Sequence, residues 1–139
     1  MMTQTPKTLY TAHVHVTGGR EGAARSSDGR LDIQLAAPGS AGAGTNPEQL
    51  FAAGWSACFE GAMGIAAKQQ GVTLPADLAI DAEVDLRLGD DGYTLAARLK
   101  VCLPGLDRDQ AQAVIDAASR TCPYSKAVAG NIDAAVILV

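Results

Sequence analysis

The sequence predicts an α+β fold with antiparallel sheets packed around long central helices, and three observations lead to it. Residues 80–103 alternate apolar and polar side chains on both sides of a glycine-bounded turn, the pattern of a half-buried hairpin. Residues 46–70 are dominated by apolar and small side chains between a helix-start and a helix-stop signal. The elements follow in the order β-β-α-β-β-α-β with no internal repeat, so residues 1–139 read as a single domain.

In chain order, residues 8–17 place Tyr10, Ala12, Val14 and Val16 on one face of a first strand that ends at Gly18-Gly19. The following residues, REGAARSS, read as a loop. After Asp28-Gly29, Leu31, Ile33 and Leu35 alternate with Asp32 and Gln34, which predicts a second strand and a hairpin with the first. The glycine-rich APGSAGAGTNP is a flexible connection. Asn46 then caps a helix, Pro47 suits its first turn, Glu48 favours the positive end of its dipole, and Gly71 terminates it. Ile80, Ala82, Val84, Leu86 and Leu88 form one face of the next strand, residues 89–92 turn, and Tyr93, Leu95, Ala97, Leu99, Val101 and Leu103 face the same way on the return. Asp107 caps a second helix with Ala111, Val114, Ile115 and Ala118 at helical spacing, and Cys122-Pro123 disfavours its continuation. YSKAVAG reads as a short turn or helix, leading into a final strand over residues 132–139.

Composition excludes several function classes. A chain that is 47% hydrophobic builds a core and is not disordered. A formal charge of −4 with scattered Lys and Arg is not the footprint of a nucleic-acid or anionic-membrane binder. The N-terminus lacks the apolar segment of an export signal, and no window holds eighteen uninterrupted apolar residues, so a cytoplasmic location is expected. In that compartment three cysteines fit reactive or buried thiols better than a disulfide framework, and any disulfide is expected to be transient. Without CxxC or HExxH, and with His13 and His15 alone on one strand face, no metal site is expected.

The long helix is unusual in its glycines. Gly54, Gly61 and Gly64 each cost about 1 kcal/mol relative to alanine inside a helix. With Ala57 and Ala62 they form a series of small residues against which another backbone can lie closely. A helix apolar on all sides is buried, and one small chain offers too few elements to cover it. A homodimer burying both long helices is the expected assembly.

The segments TGGREG (17–22), SSDGRLDIQL (26–35), GAGTNPEQLFAAGWSACFEGA (42–62), LPGLDR (103–108) and CPYSKAVAGNID (122–133) together resemble the organic hydroperoxide resistance proteins of the Ohr/OsmC family, over nearly the whole chain. The most specific pieces are GTNPEQLFAAG followed by SACF, and the later CPYS. The resemblance implies an OsmC-like, intertwined homodimer without cofactor, acting as a thiol peroxidase on organic hydroperoxides and recycled by a dithiol such as a lipoyl group on a protein. It places the peroxide-attacking cysteine at Cys58, the resolving cysteine at Cys122, an active-site arginine at Arg20 and a glutamate at Glu48. Trp55 stands where that family is expected to have tyrosine. Cys102 matches no catalytic position of the family.

Elementary chemistry bears on each of these residues. A buried Cys58 has its thiol pKa raised by desolvation and is inert unless a cation lies nearby. The helix dipole does not substitute, because Cys58 is about three turns from the N-terminus and the dipole acts over the first turn. Arg20 stays charged at any working pH, although Arg25 and Arg30 lie on the same loop and turn; the TGGR motif selects Arg20. Phe51, Trp55, Phe59 and Met63 fit either an apolar approach to the site or the core. Three other readings stay open: a cysteine acyl transferase or thioesterase, which needs a general base and an oxyanion hole at Cys58; a non-enzymatic binder of fatty-acid-like ligands; and a peroxidase of the neighbouring OsmC branch.

Overall fold

The computed structural model describes residues 4–139, which form two compact units, the first ending at Pro47 and the second running from Glu48 to Val139. In the first unit, β1 (Val14–Thr17), β2 (Ala23–Ser26) and β3 (Asp32–Gln34) make an antiparallel meander in the order β1-β2-β3. This corrects the two-strand expectation. The supposed loop REGAARSS contains β2, which pairs with both neighbours, Val16 opposite Ala24 and Ala24 opposite Ile33. Ala-Ala-Arg-Ser has no β-branched or alternating apolar signal, so its pairing is decided by the neighbours. The first strand is also shorter than its alternation predicts. Its partner ends at Ser26, opposite Val14, where the chain enters the Asp28-Gly29 turn. Leu9 and Tyr10, before the strand, are 87% and 78% exposed, and the strand's own Val14 and Val16 are exposed as well.

The second unit contains α1 (Pro47–Gln70), β4 (Ala79–Gly89), β5 (Gly92–Cys102), α2 (Arg108–Thr121), α3 (Pro123–Val128) and β6 (Asp133–Leu138). The 24-residue α1 starts and stops where the capping signals place it, and Gly71 takes the left-handed conformation with φ 70°. The Asp107 carboxylate caps α2 by accepting the Asp109 and Gln110 amides at 3.1 and 3.2 Å. Cys122 ends α2 in an extended conformation, as a residue before proline prefers, and YSKAVAG resolves into α3.

The sheet order is β4-β5-β6. β4 and β5 form the expected antiparallel hairpin, from Ala79 opposite Cys102 to Gly89 opposite Gly92. β6, however, pairs in parallel with β5, Ala96 opposite Asp133 through Val101 opposite Leu138, so this sheet is mixed rather than purely antiparallel. The reason is the connection: α2 and α3 form a crossover long enough to return the chain in the same direction.

One face of α1, formed by Trp55, Phe59, Met63, Ala66 and their neighbours, packs with Ala97, Leu99 and Val101 of β5 and Ala111, Val114, Ile115 and Ala118 of α2. Trp55, Phe59 and Met63 are essentially inaccessible, and each such side chain contributes about 1.5–3 kcal/mol through burial. The core therefore claims these three, rather than an approach to the site. By length and composition alone α1 also qualifies as a membrane span, but this face lies in the core of the unit. Its opposite stripe, Ala53, Ala57, Gly61, Gly64, Ile65 and Lys68, is exposed within the chain, as are Leu86, Leu88 and Tyr93 near the hairpin tip.

The polar face of β4 and β5 carries an ion network. Arg98 is bidentate to Asp85 at 2.9 and 3.0 Å and contacts Glu83 at 2.9 Å; Lys100 adds to Glu83 at 3.3 Å, and Arg87 bridges to Asp133 at 3.2 Å. Hydrogen bonds from Arg98 are the main cause holding the Glu83 and Asp85 carboxyls below their ordinary values. Depressed carboxylates contribute stability above their unfolded pKa and lose it as pH falls through the folded value. Arg98→Gln is therefore expected to lower the thermal midpoint at pH 7, and its gap from the parent to narrow as pH falls below about 4. Equal gaps at pH 7 and pH 2, read by thermal melts, would rule the network out as the source.

Candidate active site

Three cysteines are free thiols, and the fold brings two of them together. Cys58 lies in the middle of α1, half-buried at the edge of the face that packs into the core; Cys122 is fully buried at the junction of α2 and α3. Their sulfurs are 3.3 Å apart across 64 residues of sequence. The backbone of Cys122 is held on both sides, its N–H donating to the Ala118 carbonyl at 2.8 Å and its carbonyl accepting from the Lys126 N–H at 3.0 Å. Cys102 ends β5 opposite Ala79 and takes no part in the pair.

Burial pushes the Cys58 thiol above its ordinary pKa, and the adjacent Cys122 thiol adds to the rise; the backbone N–H of Tyr124, in the first turn of α3, pulls in the opposite direction. Burial is the largest of these causes, so the net shift of the Cys58 thiol is upward. Sulfurs this close, with a hydrogen bond between them, have their reactive atoms already aligned for exchange, because a disulfide needs them at about 2.05 Å.

Around the pair, α3 meets α1 through Phe51 and Trp55, which the sequence left between site approach and core, and through Gly54, Tyr124 and Ser125, which it did not single out for the site. The Tyr124 ring packs edge-on to Phe51 at 6.3 Å between centroids, and Phe51 packs edge-on to Trp55 at 6.0 Å. A Cβ built at Gly54 would stand 2.8 Å from the Tyr124 hydroxyl, so this glycine leaves room for the tyrosine. The buried Trp55 Nε1–H donates to Ser125 Oγ at 3.0 Å. The available signal was positional: Tyr124 and Ser125 lie in the CPYS motif, and Gly54 and Trp55 lie one turn before Cys58.

The other predicted residues lie on other elements. Arg20 belongs to the first unit, exposed on a 3-10 turn over Gly19–Glu21. The turn is tight: Gly18 and Gly19 have φ of 74° and 57°, which L side chains rarely adopt, and any Cβ at Gly22 would collide with the Thr17 carbonyl. Glu48 is half-buried in the first turn of α1, ten residues before Cys58 and therefore about 15 Å from it along the axis. Of the competing arginines, Arg25 is exposed on β2 and Arg30 lies 3.9 Å from Asp28. His13 and His15 are both exposed, and among the described residues no group of three or more His, Cys, Asp or Glu converges as metal ligands would.

A family model described as OsmC-like protein matches residues 37–136, which include α1, both thiols and most of β6. The chain belongs to the OsmC-like family. An organic hydroperoxide resistance protein of Xanthomonas axonopodis pv. citri is 46% identical over 141 residues, covering 99% of each chain. The crystal structure of the organic hydroperoxide resistance protein OhrB of Bacillus subtilis superposes with a TM-score of 0.89 at 42% identity, covering 95% of this chain and 100% of that one. That of an organic hydroperoxide resistance protein from Elizabethkingia anophelis does so with a TM-score of 0.88 at 35% identity, covering 96% and 98%. In this OsmC-like chain Cys58 and Cys122 are the pair of thiols in contact.

The contact between Gly54 and Tyr124 has a measurable consequence. Gly54→Ala gains about 1 kcal/mol of helix propensity but must displace the Tyr124 hydroxyl. In a Tyr124→Ala background the same change is expected to stabilise by about 1 kcal/mol in denaturant titrations, and in the parent to stabilise less or destabilise. Identical effects in both backgrounds would show that the glycine does not serve the tyrosine.

Proposed function

We propose that this chain is a cysteine-based peroxidase that reduces organic hydroperoxides, alkyl or lipid, to alcohols. The observation that carries the proposal is the 3.3 Å contact between two free thiols, one half-buried and one buried, in a chain whose relatives are named for organic hydroperoxide resistance. The Cys58 thiolate attacks the distal peroxide oxygen; the O–O bond breaks, the alkoxide leaves and is protonated to the alcohol, and Cys58 becomes a sulfenic acid. The Cys122 sulfur then attacks Cys58, the S–O bond breaks, and water leaves as the Cys58–Cys122 disulfide forms. Arg20 supplies the cation that burial of Cys58 demands and polarises the peroxide; Glu48 orients its guanidinium.

Recycling follows from which sulfur is accessible. Cys122 is fully buried and Cys58 is not, so an incoming thiol attacks at Cys58 and releases Cys122. A monothiol adduct would be reversed by Cys122, whereas the tethered second thiol of a dithiol, such as a lipoyl group on a protein, completes the reduction at high effective concentration. A cytoplasmic setting, where thiols are kept reduced, suits the cycle.

The test compares an alkyl hydroperoxide with hydrogen peroxide, using dihydrolipoamide as reductant. Cys58→Ser abolishes turnover, whereas Cys122→Ser allows one stoichiometric oxidation of Cys58 without cycling. Arg20→Ala slows the peroxide step by orders of magnitude and moves Cys58 alkylation to higher pH, since desolvation is then opposed by the Tyr124 N–H without a cation. Equal loss of the first oxidation in both cysteine variants, or an unchanged titration in Arg20→Ala, counts against these roles.

The working assembly is proposed to be a homodimer. Supporting it are the exposed stripe of small and apolar residues on α1, the exposed Leu9, Tyr10, Val14 and Val16, and the 15 Å that separates Glu48 from Cys58 in one helix, about twice the reach of a side chain. Each site then combines the cysteine pair of one subunit with Glu48 of the other. Mixing inactive Cys58→Ser and Glu48→Ala subunits is expected to give heterodimers with one intact site and partial activity. Verified subunit exchange without recovery of activity would refute the shared site.

A further inference from the structure

We propose that the buried hydrogen bond between Trp55 and Ser125 is a latch that positions Cys122 for disulfide closure. The inference rests on Cys58 and Cys122 being an attacking and a resolving thiol, and it concerns the second of their two steps. Each partner of the latch stands one turn from a cysteine: Trp55 three residues before Cys58 on α1, Ser125 three residues after Cys122 on α3. Two ties therefore run side by side between the same two helices, Sγ to Sγ at 3.3 Å and Nε1 to Oγ at 3.0 Å.

The sulfur contact is too weak to hold α3 by itself, because a thiol is a poor donor and a poor acceptor. Nor does packing behind Ser125 hold it. Ser125 lines an open pocket of about 260 Å³ whose walls include Trp55, Ile115, Asp116, Ser119, Val128 and Val136. Beside a pocket Ser125 lacks packing contacts on that side, and Tyr124, which holds α3 to α1 through Phe51 and Gly54, does not fix the Ser125 hydroxyl. The indole N–H fixes it. Trp55 is 1% exposed and its ring nitrogen is only a donor, so losing Ser125 as acceptor strands a buried polar group, and keeping it fixes the hydroxyl in place. Trp55 and Ser125 are positioning residues: neither contributes an atom to the bond that forms.

The test uses a step that needs no peroxide. In a Cys102→Ser background, which leaves Cys58 and Cys122 as the only thiols, the protein is mixed with one equivalent of 5,5'-dithiobis(2-nitrobenzoate). Attack by Cys58 breaks the reagent's disulfide, releases one thionitrobenzoate and leaves a mixed disulfide on Cys58. Cys122 then attacks that sulfur, loses its proton, forms the Cys58–Cys122 disulfide and expels the second thionitrobenzoate. Ser125→Ala and Trp55→Phe are expected to keep the first release within about twofold of the parent and to slow the second about five- to tenfold, the effect of one buried hydrogen bond. Ser125→Thr, which keeps the hydroxyl and has cavity space for its methyl group, closes at close to the parental rate. The double variant closes no more slowly than the slower single one, because both remove the same bond.

A parental closure rate in Ser125→Ala, or rate losses that multiply in the double variant, overturns the latch. If Trp55→Phe does not fold, Ser125→Ala and Ser125→Thr carry the result. Because the probe is not a hydroperoxide, slowed closure in a protein that fails to turn over hydroperoxide sinks the peroxidase assignment alone, and parental closure in an active peroxidase sinks the latch alone.

Discussion

The buried face of α1 is the constraint on which the second unit depends. Trp55, Phe59, Met63 and Ala66 leave water together, and they do so against β5 and α2. Once that face is fixed, the position of Cys58 follows, since the residue between Ala57 and Phe59 must fall at its edge, half-buried rather than inside or outside. The crossover from β5 through α2 and α3 to β6 must then pass the same edge, and it brings Cys122 to the Cys58 sulfur. The thiol pair is thus a consequence of helix-on-sheet packing and not of any local motif.

The same burial that builds the pair works against its chemistry. Desolvation is the largest influence on Cys58 and favours its protonated form, and a neighbouring thiol reinforces that. A backbone N–H from Tyr124 offsets part of the effect. A hydrogen bond of this kind is worth less than a full charge, which is why a nucleophilic Cys58 calls for a guanidinium in addition. The Gly18-Gly19 turn, in a conformation other residues rarely adopt, gives Arg20, the cation proposed for that task, a defined backbone geometry.

Within one chain, several apolar surfaces remain in water. The small-residue stripe of α1, the side chains of Leu9, Tyr10, Val14 and Val16, and the hairpin tip with Leu86, Leu88 and Tyr93 lie on separate elements, yet all carry residues that a solitary chain would bury. The glycines of α1 divide accordingly. Gly54 is matched by Tyr124 of its own chain, whereas a Cβ at Gly61 or Gly64 would meet nothing within 4 Å. Two helix-weakening residues without an intrachain contact are what an interface between copies would require, and the proposed homodimer gives them that use.

Elements whose signals are local were legible in the sequence. Asn46, Pro47 and Gly71 bounded α1, Asp107 capped α2, and the alternation from Ile80 to Leu103 set the β4–β5 hairpin, because capping and side-chain periodicity act between residues a few positions apart. The family motifs named Cys58, Cys122, Arg20 and Glu48 as candidates, and of these the fold brings Cys58 and Cys122 into contact. What depends on distant partners was not legible. β2 exists because β1 and β3 offer it hydrogen bonds, despite its weak strand pattern, and β1 stops where that partner turns away. β6 runs parallel because of where the α2–α3 crossover delivers it. The 3.3 Å sulfur contact and the Trp55–Ser125 bond join residues more than sixty positions apart, and nothing in the order of residues states a distance across a fold. The sequence by itself determined the capped helices and the β4–β5 hairpin and named candidates for the chemistry; tertiary packing decided that Cys58 and Cys122 meet, because contact is a property of the buried faces and not of the chain.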